Sequence, residues 1–562
     1  MTTATPHTKQ LIMDNTMMND TTPSNTTMKP TSQTSSDMTP NASSLPGKIE
    51  EANHPRGSYT PSDIERLGRE RPSAFRSLPH ELGFCFALLG SMFVAEYMIS
   101  GFNILLPDLT EALHIPSNAQ TWPASVFSLV TGAFLLPFGR LADMFGGYVV
   151  FCSGLAWFLV WSIIAGFSQN YVMLIVCRAL QGFGPAAFLP SGIMLLGSIY
   201  RPGPRKNLVF SLYGAFAPVG FFTGIFFAGV AAQFTTWGWF FWIGSVILAI
   251  VAVASYLCIP HPKEEKEKAK QEGKVVKIDW WGTATVVPGL VLVVFALTDG
   301  SHAPQGWATP YIPVTFVIGW IFLGAFVYIE GWVAEQPLLP PDLFRVKGMK
   351  PLALALFFQY GTFGIFIFYA SFYIEQVVGA SPLLTAAWFT PMCVGGLILA
   401  TIGGLVLHLL PGRILLLISG VAYILSTLLF AVVPVHFNYW AYIFPAMICA
   451  TLGIDITYNV SNIFITTSLP KARQGLAGSF MNSLLFLGIA VFLSFADLAV
   501  SETEERGQRG SYKVAFWLAT ALAGVGVIIM FLGVKIGKAE SELTIEEREE
   551  LENELERRNT NE

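Results

Sequence analysis

The feature that most constrains this chain is a series of long apolar runs that begins near Leu82 and ends near Ile536. Each run has about 20 residues or more, the length that an α-helix needs to cross the roughly 30 Å hydrocarbon core of a membrane. Charged residues make up only 13% of the chain, about half of the share that is typical of soluble domains. The pattern predicts an all-α polytopic membrane protein rather than a β-barrel, whose strands alternate in much shorter segments.

The loops between the runs predict the orientation of the chain. We count fourteen spans, and an even number places both termini on the same side of the membrane. Lysine and arginine are concentrated in the loops on that side, including six lysines between Lys263 and Lys277, and six of the seven opposite loops contain neither residue type. Because positively charged loops tend to stay in the cytosol, we predict cytosolic termini. The predicted spans are 83–106, 122–141, 147–168, 171–199, 207–231, 236–259, 281–298, 311–334, 352–374, 384–409, 413–434, 439–468, 475–499 and 513–536.

Ionisable side chains inside a span are costly unless they are paired or hydrated, so they are candidates for function. Glu96 lies midway along the first span, with Asn103 two helical turns further on the same face. A buried acid of this kind can carry a proton or bind substrate. The alternative is a structural hydrogen bond from Glu96 to a neighbouring helix.

Two later spans carry further candidates. Arg178 is followed one turn later by Gln181 in the fourth span, where a structural pairing and a role in coupling are both open. In the twelfth span, Asp455, Asn459 and Asn462 form one polar stripe. Such a stripe lines a cavity or a coupling site, or it only holds helices together by hydrogen bonds. We expect one further acid, near the outer end of the thirteenth span, to reach the membrane interface, and this acid is Asp497.

The fifth span combines a proline with small residues at helical spacing. Pro218, Gly220 and Gly224 follow one another within two turns. Small residues allow two helices to approach closely, and proline bends a helix. Packing alone explains the small face, but the combination also suggests an element that flexes. A second candidate hinge or latch is the short polar turn between the second and third spans, formed by Gly139, Arg140, Asp143 and Gly146.

Two of these stretches resemble signatures of the major facilitator superfamily. Its inner-loop signature is matched by Gly139, Leu141, Ala142, Asp143 and Gly146, and its fourth-span signature by Arg178, Gln181, Gly182, Gly184 and Ala186. Shorter motifs resemble the fourteen-span drug:proton antiporters, and the overall pattern resembles their fungal branch of aminotriazole-resistance and low-affinity ammonium transporters. These shorter motifs are Trp237-Gly-Trp239, Asp279-Trp-Trp-Gly282 and Gly379-x-Ser381-Pro382.

The resemblance implies the major facilitator fold, in which two six-helix bundles flank two extra central spans. The resemblance covers about 82–536, and with it we predict the N-terminal bundle at 82–259, a cytosolic loop with the extra spans at 260–350 and the C-terminal bundle at 351–536. Composition predicts a disordered cytosolic tail at 1–81 and a charged cytosolic tail at 537–562. The inner loop departs from the family pattern, because Met144, Gly147 and Tyr148 stand where basic residues are usual. The family's salt-bridge latch is therefore expected to be weaker or re-routed here, with Arg140 as the nearby cation.

The resemblance also implies a proton-coupled secondary transporter that exports drugs or metabolites by alternating access, with Glu96 and Asp455 facing each other across the two halves. One alternative is a low-affinity transporter of ammonium or another small cation, and another is a non-transporting nutrient sensor. We do not expect an enzyme, a cofactor, a metal or a nucleic-acid partner, since no motif for any of them is present. The expected partners are a small substrate, protons and the lipid bilayer, for a monomer in the plasma membrane or the vacuolar membrane.

Overall fold

The computed structural model describes residues 71–72, 74–200, 204–260, 277–300, 302–406, 410–468 and 474–537. Most of the predicted N-terminal tail, the lysine-rich loop after residue 260 and the C-terminal tail after residue 537 lie outside the described residues. Within this part of the chain, fourteen helices are long and apolar enough to cross a membrane. The predicted all-α polytopic class is therefore confirmed.

These helices are numbered α1 to α14 in chain order. The eighth and ninth helices are each extended by one turn of π-helix, at Ile329–Val333 and Tyr373–Val377. The bounds are α1 Leu78–Ala112, α2 Trp122–Phe145, α3 Gly147–Ala165, α4 Tyr171–Ile199, α5 Pro204–Phe234, α6 Gly238–Cys258, α7 Trp280–Asp299, α8 Tyr311–Tyr328, α9 Met349–Phe372, α10 Pro382–Val406, α11 Gly412–Val432, α12 Ile443–Thr467, α13 Gln474–Ser501 and α14 Gly507–Gly533.

The helices pack as two six-helix bundles, α1–α6 and α9–α14, with the same neighbours in each. In the first bundle α1 packs against α5 and α6, while α4 packs against α2 and α3 and α6 packs against α3. The second bundle repeats these contacts when eight is added to each helix number. Helix α9 contacts α13 and α14, α12 contacts α10 and α11, and α14 contacts α11. The two bundles are therefore structural repeats of one unit.

The two main contacts between the bundles are those between α2 and α13 and between α5 and α10, and smaller ones join α4 to α13 and α1 to α9 and α10. The extra hairpin, formed by α7 and α8, packs against the first of these contacts through α7. We call the end of the molecule where α1 begins the Leu78 face and the end where α1 finishes the Ala112 face. Because each helix crosses the bundle, successive helices begin on alternate faces.

The first helix begins at Leu78 and ends at Ala112, so it extends beyond the predicted span 83–106 at both ends. Pro79 looks like a loop residue in the sequence, but proline is well tolerated in the first turn of a helix. Glu81 then anchors this turn, because Arg205 donates hydrogen bonds to both of its carboxylate oxygens and the Tyr200 hydroxyl donates to one. This salt bridge, in which Glu81 is buried and Arg205 is partly exposed, ties the start of α1 to the start of α5.

A candidate substrate and proton site between the two bundles

A cavity of about 100 Å³ lies where the two bundles meet. Its walls come from α1 and α5 of the first bundle and from α9, α10, α12 and α13 of the second. Most of the lining is apolar. The lining residues are Met92, Glu96, Ile99, Gly214, Ala217, Pro218, Phe221, Phe363, Met392, Cys393, Gly396, Thr451, Ile454, Asp455, Tyr458, Asn459, Leu485, Phe486 and Ile489.

The cavity receives one acidic side chain from each bundle, Glu96 from α1 and Asp455 from α12. The two carboxylates are close enough for their charges to interact. Within the described residues, neither forms a salt bridge with a basic side chain. Two like charges in an apolar cavity without a cation repel each other, so protonation of one acid or binding of a cation relieves the repulsion.

Polar neighbours on α12 orient Asp455. The Thr451 hydroxyl donates a hydrogen bond of 2.8 Å to Asp455 Oδ2, and the Asn459 amide donates to the Asp455 carbonyl oxygen at 2.8 Å. Gly396 of α10 allows the close approach of three helices here. A Cβ atom at that position would lie 3.0 Å from Asp455 Oδ2 and 3.2 Å from the Pro218 ring. Asp455 of α12 and Pro218 of α5 thus both pack against Gly396 of α10, and α5 and α10 belong to different bundles.

Aromatic hydroxyls surround the Glu96 side of the cavity. Tyr458 lines the cavity, and Tyr213 of α5 lies near both Tyr458 and Glu96. The Tyr213 hydroxyl is buried and has no hydrogen-bond partner among the described residues. A buried donor of this kind can hydrogen-bond a carboxylate or a bound molecule after a small side-chain rotation. The site therefore offers two acids, an amide and aromatic surfaces to a small ligand.

Arg178 lies outside this cavity, in a site of its own on α4. Its guanidinium stacks between two rings, 4.0 Å from the centroid of Phe102 and 4.2 Å from that of Phe127. It donates hydrogen bonds to the Pro123 carbonyl oxygen and to Gln181 Oε1. This set of partners links α1, α2 and α4. The geometry favours the structural alternative for Arg178 over direct contact with the two acids.

Two of the predicted polar residues also lie away from the cavity lining. Asn103 donates to the Ile99 carbonyl oxygen one turn earlier in its own helix, at 2.9 Å. Asn462 lies beyond Asn459 in α12 and is not among the lining residues. Only the first two members of the predicted polar stripe, Asp455 and Asn459, reach the cavity.

The small residues of α5 lie where this helix crosses α1. A Cβ atom at Gly220 would collide with the Phe93 carbonyl oxygen, and one at Gly224 would collide with the Tyr97 carbonyl oxygen. The Ser100 hydroxyl bridges the same crossing by donating to the Phe221 carbonyl oxygen at 2.8 Å. The glycines therefore serve a close contact between backbones, and Pro218 of the same helix lines the cavity.

The predicted latch lies on the Leu78 face and contacts the second bundle. A Cβ atom at Gly139 would lie 2.5 Å from Ser479 Oγ of α13. Asp143 Oδ1 lies 3.9 Å from the position that a Cβ would occupy on Gly475, in the first turn of α13. A carboxylate near a helix N-terminus interacts favourably with the helix dipole. Gly146 ends α2 with a φ of 93°, a left-handed conformation that favours glycine.

Arg140 makes its closest contact with the segment that follows the extra hairpin. Its guanidinium donates a hydrogen bond of 2.6 Å to the Pro337 carbonyl oxygen. That segment is itself fixed, since the backbone N–H groups of Leu338 and Leu339 donate to the Glu330 carboxylate at 2.9 and 3.0 Å. Arg140 and Asp143, predicted to lie in a turn between two spans, lie in the last turns of α2, and the Arg140 side chain is directed to the connection between the hairpin and the second bundle.

We expect Asp143→Asn to weaken the contact between α2 and α13 on the Leu78 face. A carboxylate at a helix N-terminus contributes about 1 kcal/mol, so its loss shifts a two-state equilibrium by about fivefold toward opening on that face. The reporter is Gly214→Cys in a background without the native cysteines, because Gly214 lines the cavity. Its labelling rate should rise when a membrane-impermeant thiol reagent is applied on the side of the Leu78 face.

The matched control is Asp342→Asn, which removes an exposed acid of the salt bridge with Arg345 just before α9. This variant should leave the labelling rate unchanged. If the labelling rate in the Asp143→Asn variant equals that of the parent protein, Asp143 does not act as a latch.

Several buried acids near helix ends were missed in the sequence. Asp108 of α1 and Glu375 at the end of α9 each have a buried carboxylate oxygen without a hydrogen-bond partner in the described chain.

Asp497 was expected to reach the membrane interface, and this prediction is wrong. Its side chain is buried, and its Oδ2 atom is hydrogen-bonded to His302 Nε2 at 2.9 Å. No spacing rule links a loop histidine to an acid in a distant helix.

Residues 88–493 match the sequence profile of the Major Facilitator Superfamily. The low affinity ammonium transporter of Saccharomyces cerevisiae is 36% identical over 429 residues, which cover 74% of this chain and 82% of that protein. The efflux pump terJ of Aspergillus terreus is 29% identical over 86% of this chain and 92% of its own length. The aminotriazole resistance protein of Saccharomyces cerevisiae is 29% identical over 84% of this chain and 88% of its own length.

Solved transporter structures share the arrangement of helices. An auto-inhibited POT family peptide transporter superposes with a TM-score of 0.59 at 15% sequence identity. The match covers 83% of this chain and 99% of that structure. At this identity the likeness extends to the fold alone.

Proposed function

The chain belongs to the Major Facilitator Superfamily, and we propose that it exports small organic compounds in exchange for protons. The observation that carries the proposal is the central cavity with one uncompensated acid from each bundle, Glu96 and Asp455. Exchange requires a site that holds either protons or substrate but not both. Two repelling carboxylates that both bundles contribute meet this requirement.

In this mechanism the acids release their proton and accept the substrate when the cavity opens to one side. Substrate departure on the other side restores the repulsion between Glu96 and Asp455, which a new proton relieves. The bundles rock about the cavity, so that the contacts α2–α13 and α5–α10 open and close at opposite ends. Asp143 and Arg140 stabilise closure of the Leu78 face through α13 and the hairpin connection.

The orientation that we propose places both termini and the Leu78 face in the cytosol, as the lysine and arginine distribution favours. The protein would act as a monomer in the plasma membrane, with the vacuolar membrane as the alternative. The substrate class is supported by the mainly apolar lining of the cavity and by the relative that is named an efflux pump.

A low-affinity transporter of ammonium or another small cation is the second candidate. Its support is the size of the cavity, about 100 Å³, which is below the 300–1,000 Å³ typical of sites for drug-sized ligands. A cation would lie between the two acids and against the Tyr458 ring. The relative with 36% identity carries the name of an ammonium transporter.

Reconstituted vesicles with an acidic lumen distinguish the two candidates. The probes are radiolabelled aminotriazole and radiolabelled methylammonium, chosen from the names of the relatives. Exchange against protons predicts accumulation above that of protein-free vesicles, up to about tenfold for each pH unit when one proton is exchanged. A protonophore should abolish this excess. Accumulation that persists with the protonophore would exclude proton exchange, and selective flux of methylammonium would favour the second candidate.

A further inference from the structure

A second cavity, of about 250 Å³, lies on the Ala112 face, away from the central one. Three parts of the chain build it. The connection between α1 and α2 contributes Thr121, the hairpin contributes His302, and the second bundle contributes residues of α9, α13 and α14. The cavity shares no lining residue with the central site. Its chemistry therefore needs a separate explanation.

The centre of this cavity is a buried histidine–carboxylate pair. His302 Nε2 lies 2.9 Å from Asp497 Oδ2, and the two side chains are 9% and 8% exposed. One turn deeper, the hydroxyls of Thr298 and Ser494 hydrogen-bond at 2.7 Å and fix α7 against α13. The pair thus occupies a rigid position between the hairpin and the second bundle.

The charges around His302 are mainly acidic. Asp497 of α13 contacts it directly, and Asp299 at the end of α7 and Glu504 before α14 act on it through space. Burial alone lowers the pKa of His302, but the hydrogen bond and the negative charge of Asp497, with Asp299 and Glu504, raise it above its ordinary value. The proton is bound at low pH and is lost as the pH rises through this raised pKa.

Aromatic rings form the opposite wall. Phe368 and Phe372 of α9 are stacked with their centroids 4.8 Å apart, and Tyr369 lies 5.5 Å from Tyr512 of α14. All four rings line the cavity. Aromatic faces together with carboxylates are the groups that bind organic ammonium ions.

One buried hydroxyl of the cavity is poorly satisfied. Thr121 is 2% exposed, and its hydroxyl lies beside the Asp497 carboxylate without a well-formed hydrogen bond. Buried hydroxyl groups in folded proteins are normally hydrogen-bonded. A ligand next to Asp497 would provide this group with a partner.

We propose that the second cavity binds a small organic ammonium ion between the Asp497 and Glu504 carboxylates and the aromatic wall, in competition with the proton on His302. With His302 protonated, the three groups carry a net charge of −1. With His302 neutral the net charge is −2, and the cation binds more tightly. The site lies on the face opposite Leu78, so it would respond to pH on that side independently of the central acids.

Equilibrium binding of radiolabelled choline to the purified full-length protein tests the proposal. Choline carries a charge that does not titrate, and dimethylbutanol is an uncharged molecule of nearly the same shape. Choline affinity should rise about tenfold between about pH 5.5 and about pH 8, which bracket the titration of histidine. Dimethylbutanol should not compete. Absence of choline binding, or binding that does not change with pH, would overturn the proposal.

Substitutions show which cavity binds choline. Asp497→Asn should weaken choline binding at least about tenfold, and His302→Gln should remove the pH dependence. Glu111→Gln, an exposed acid on the same face, is the matched control and should change neither quantity. The double variant Glu96→Gln, Asp455→Asn should bind choline like the parent protein. Loss of binding in that double variant would place choline in the central cavity and refute the second site, even if Asp497→Asn fails to fold.

Discussion

Glu96→Gln and Asp455→Asn are each expected to lower proton-driven transport by at least about tenfold, while the protein remains folded. Glutamine and asparagine keep the shapes of the acids, so the cavity and the contacts of α1 and α12 should persist. The substituted side chain can no longer bind or release a proton. Removing one of the two carboxylates also removes the charge repulsion between them. Substrate binding can then no longer be favoured by relieving that repulsion.

The measurement is accumulation of a radiolabelled substrate in acid-lumen vesicles, together with exchange of labelled for unlabelled substrate without a pH gradient. Exchange should survive in both variants, because it needs no net proton movement. Glu111→Gln is again the control, since this acid lies in α1 but is exposed at its end. Parent-level accumulation in Glu96→Gln would show that this acid does not couple protons to transport.

Gly224→Leu is expected to destabilise the protein by roughly 3 kcal/mol, the upper range for overpacking a buried contact. A Cβ at this position collides with the Tyr97 carbonyl oxygen and lies 2.6 Å from Ser100 Oγ. The obstacle is mainly backbone, so α1 and α5 must separate. The hydrogen bond from Ser100 to the Phe221 carbonyl oxygen would then be lost.

Thermal unfolding in detergent, followed by size-exclusion chromatography, measures this effect. Gly214→Ala is the matched control on the same helix, because the nearest atom outside that helix, Asn459 Oδ1, would be 4.0 Å from its Cβ. That variant should be as stable as the parent or slightly more stable, since alanine favours helix. Equal unfolding temperatures for Gly224→Leu and Gly214→Ala would contradict the close crossing of α1 and α5.

Features that depend on one helix at a time could be predicted from the sequence. The fourteen spans follow from the length of the apolar runs, and the motifs around Asp143 and Arg178 identified a family that is now confirmed. The polar spacing in α12 predicted that Asp455 and Asn459 share one face, and both line the cavity. These predictions need only local periodicity and the cost of burying polar groups in a membrane.

Features that depend on the rotation of one helix against another could not be predicted in this way. Arg178 stacks between Phe102 and Phe127, which come from two other helices. His302 is hydrogen-bonded to Asp497, which lies 195 residues later in the sequence. Asn462 of the predicted stripe lies further along α12 than Asn459 and does not line the cavity. Each outcome depends on neighbours that no spacing within one helix reveals.

The position of the α7–α8 hairpin has a consequence for how compounds enter from the bilayer. The two main contacts between the bundles are equivalent by the eight-helix repeat, but the hairpin packs against one of them, through α2 and α13. It shields that contact from surrounding lipid and leaves the α5–α10 contact directly exposed to it. The two sides of a symmetrical transporter therefore become unequal. A compound dissolved in the membrane would therefore meet the α5–α10 contact directly, whereas the hairpin lies between the lipid and the α2–α13 contact.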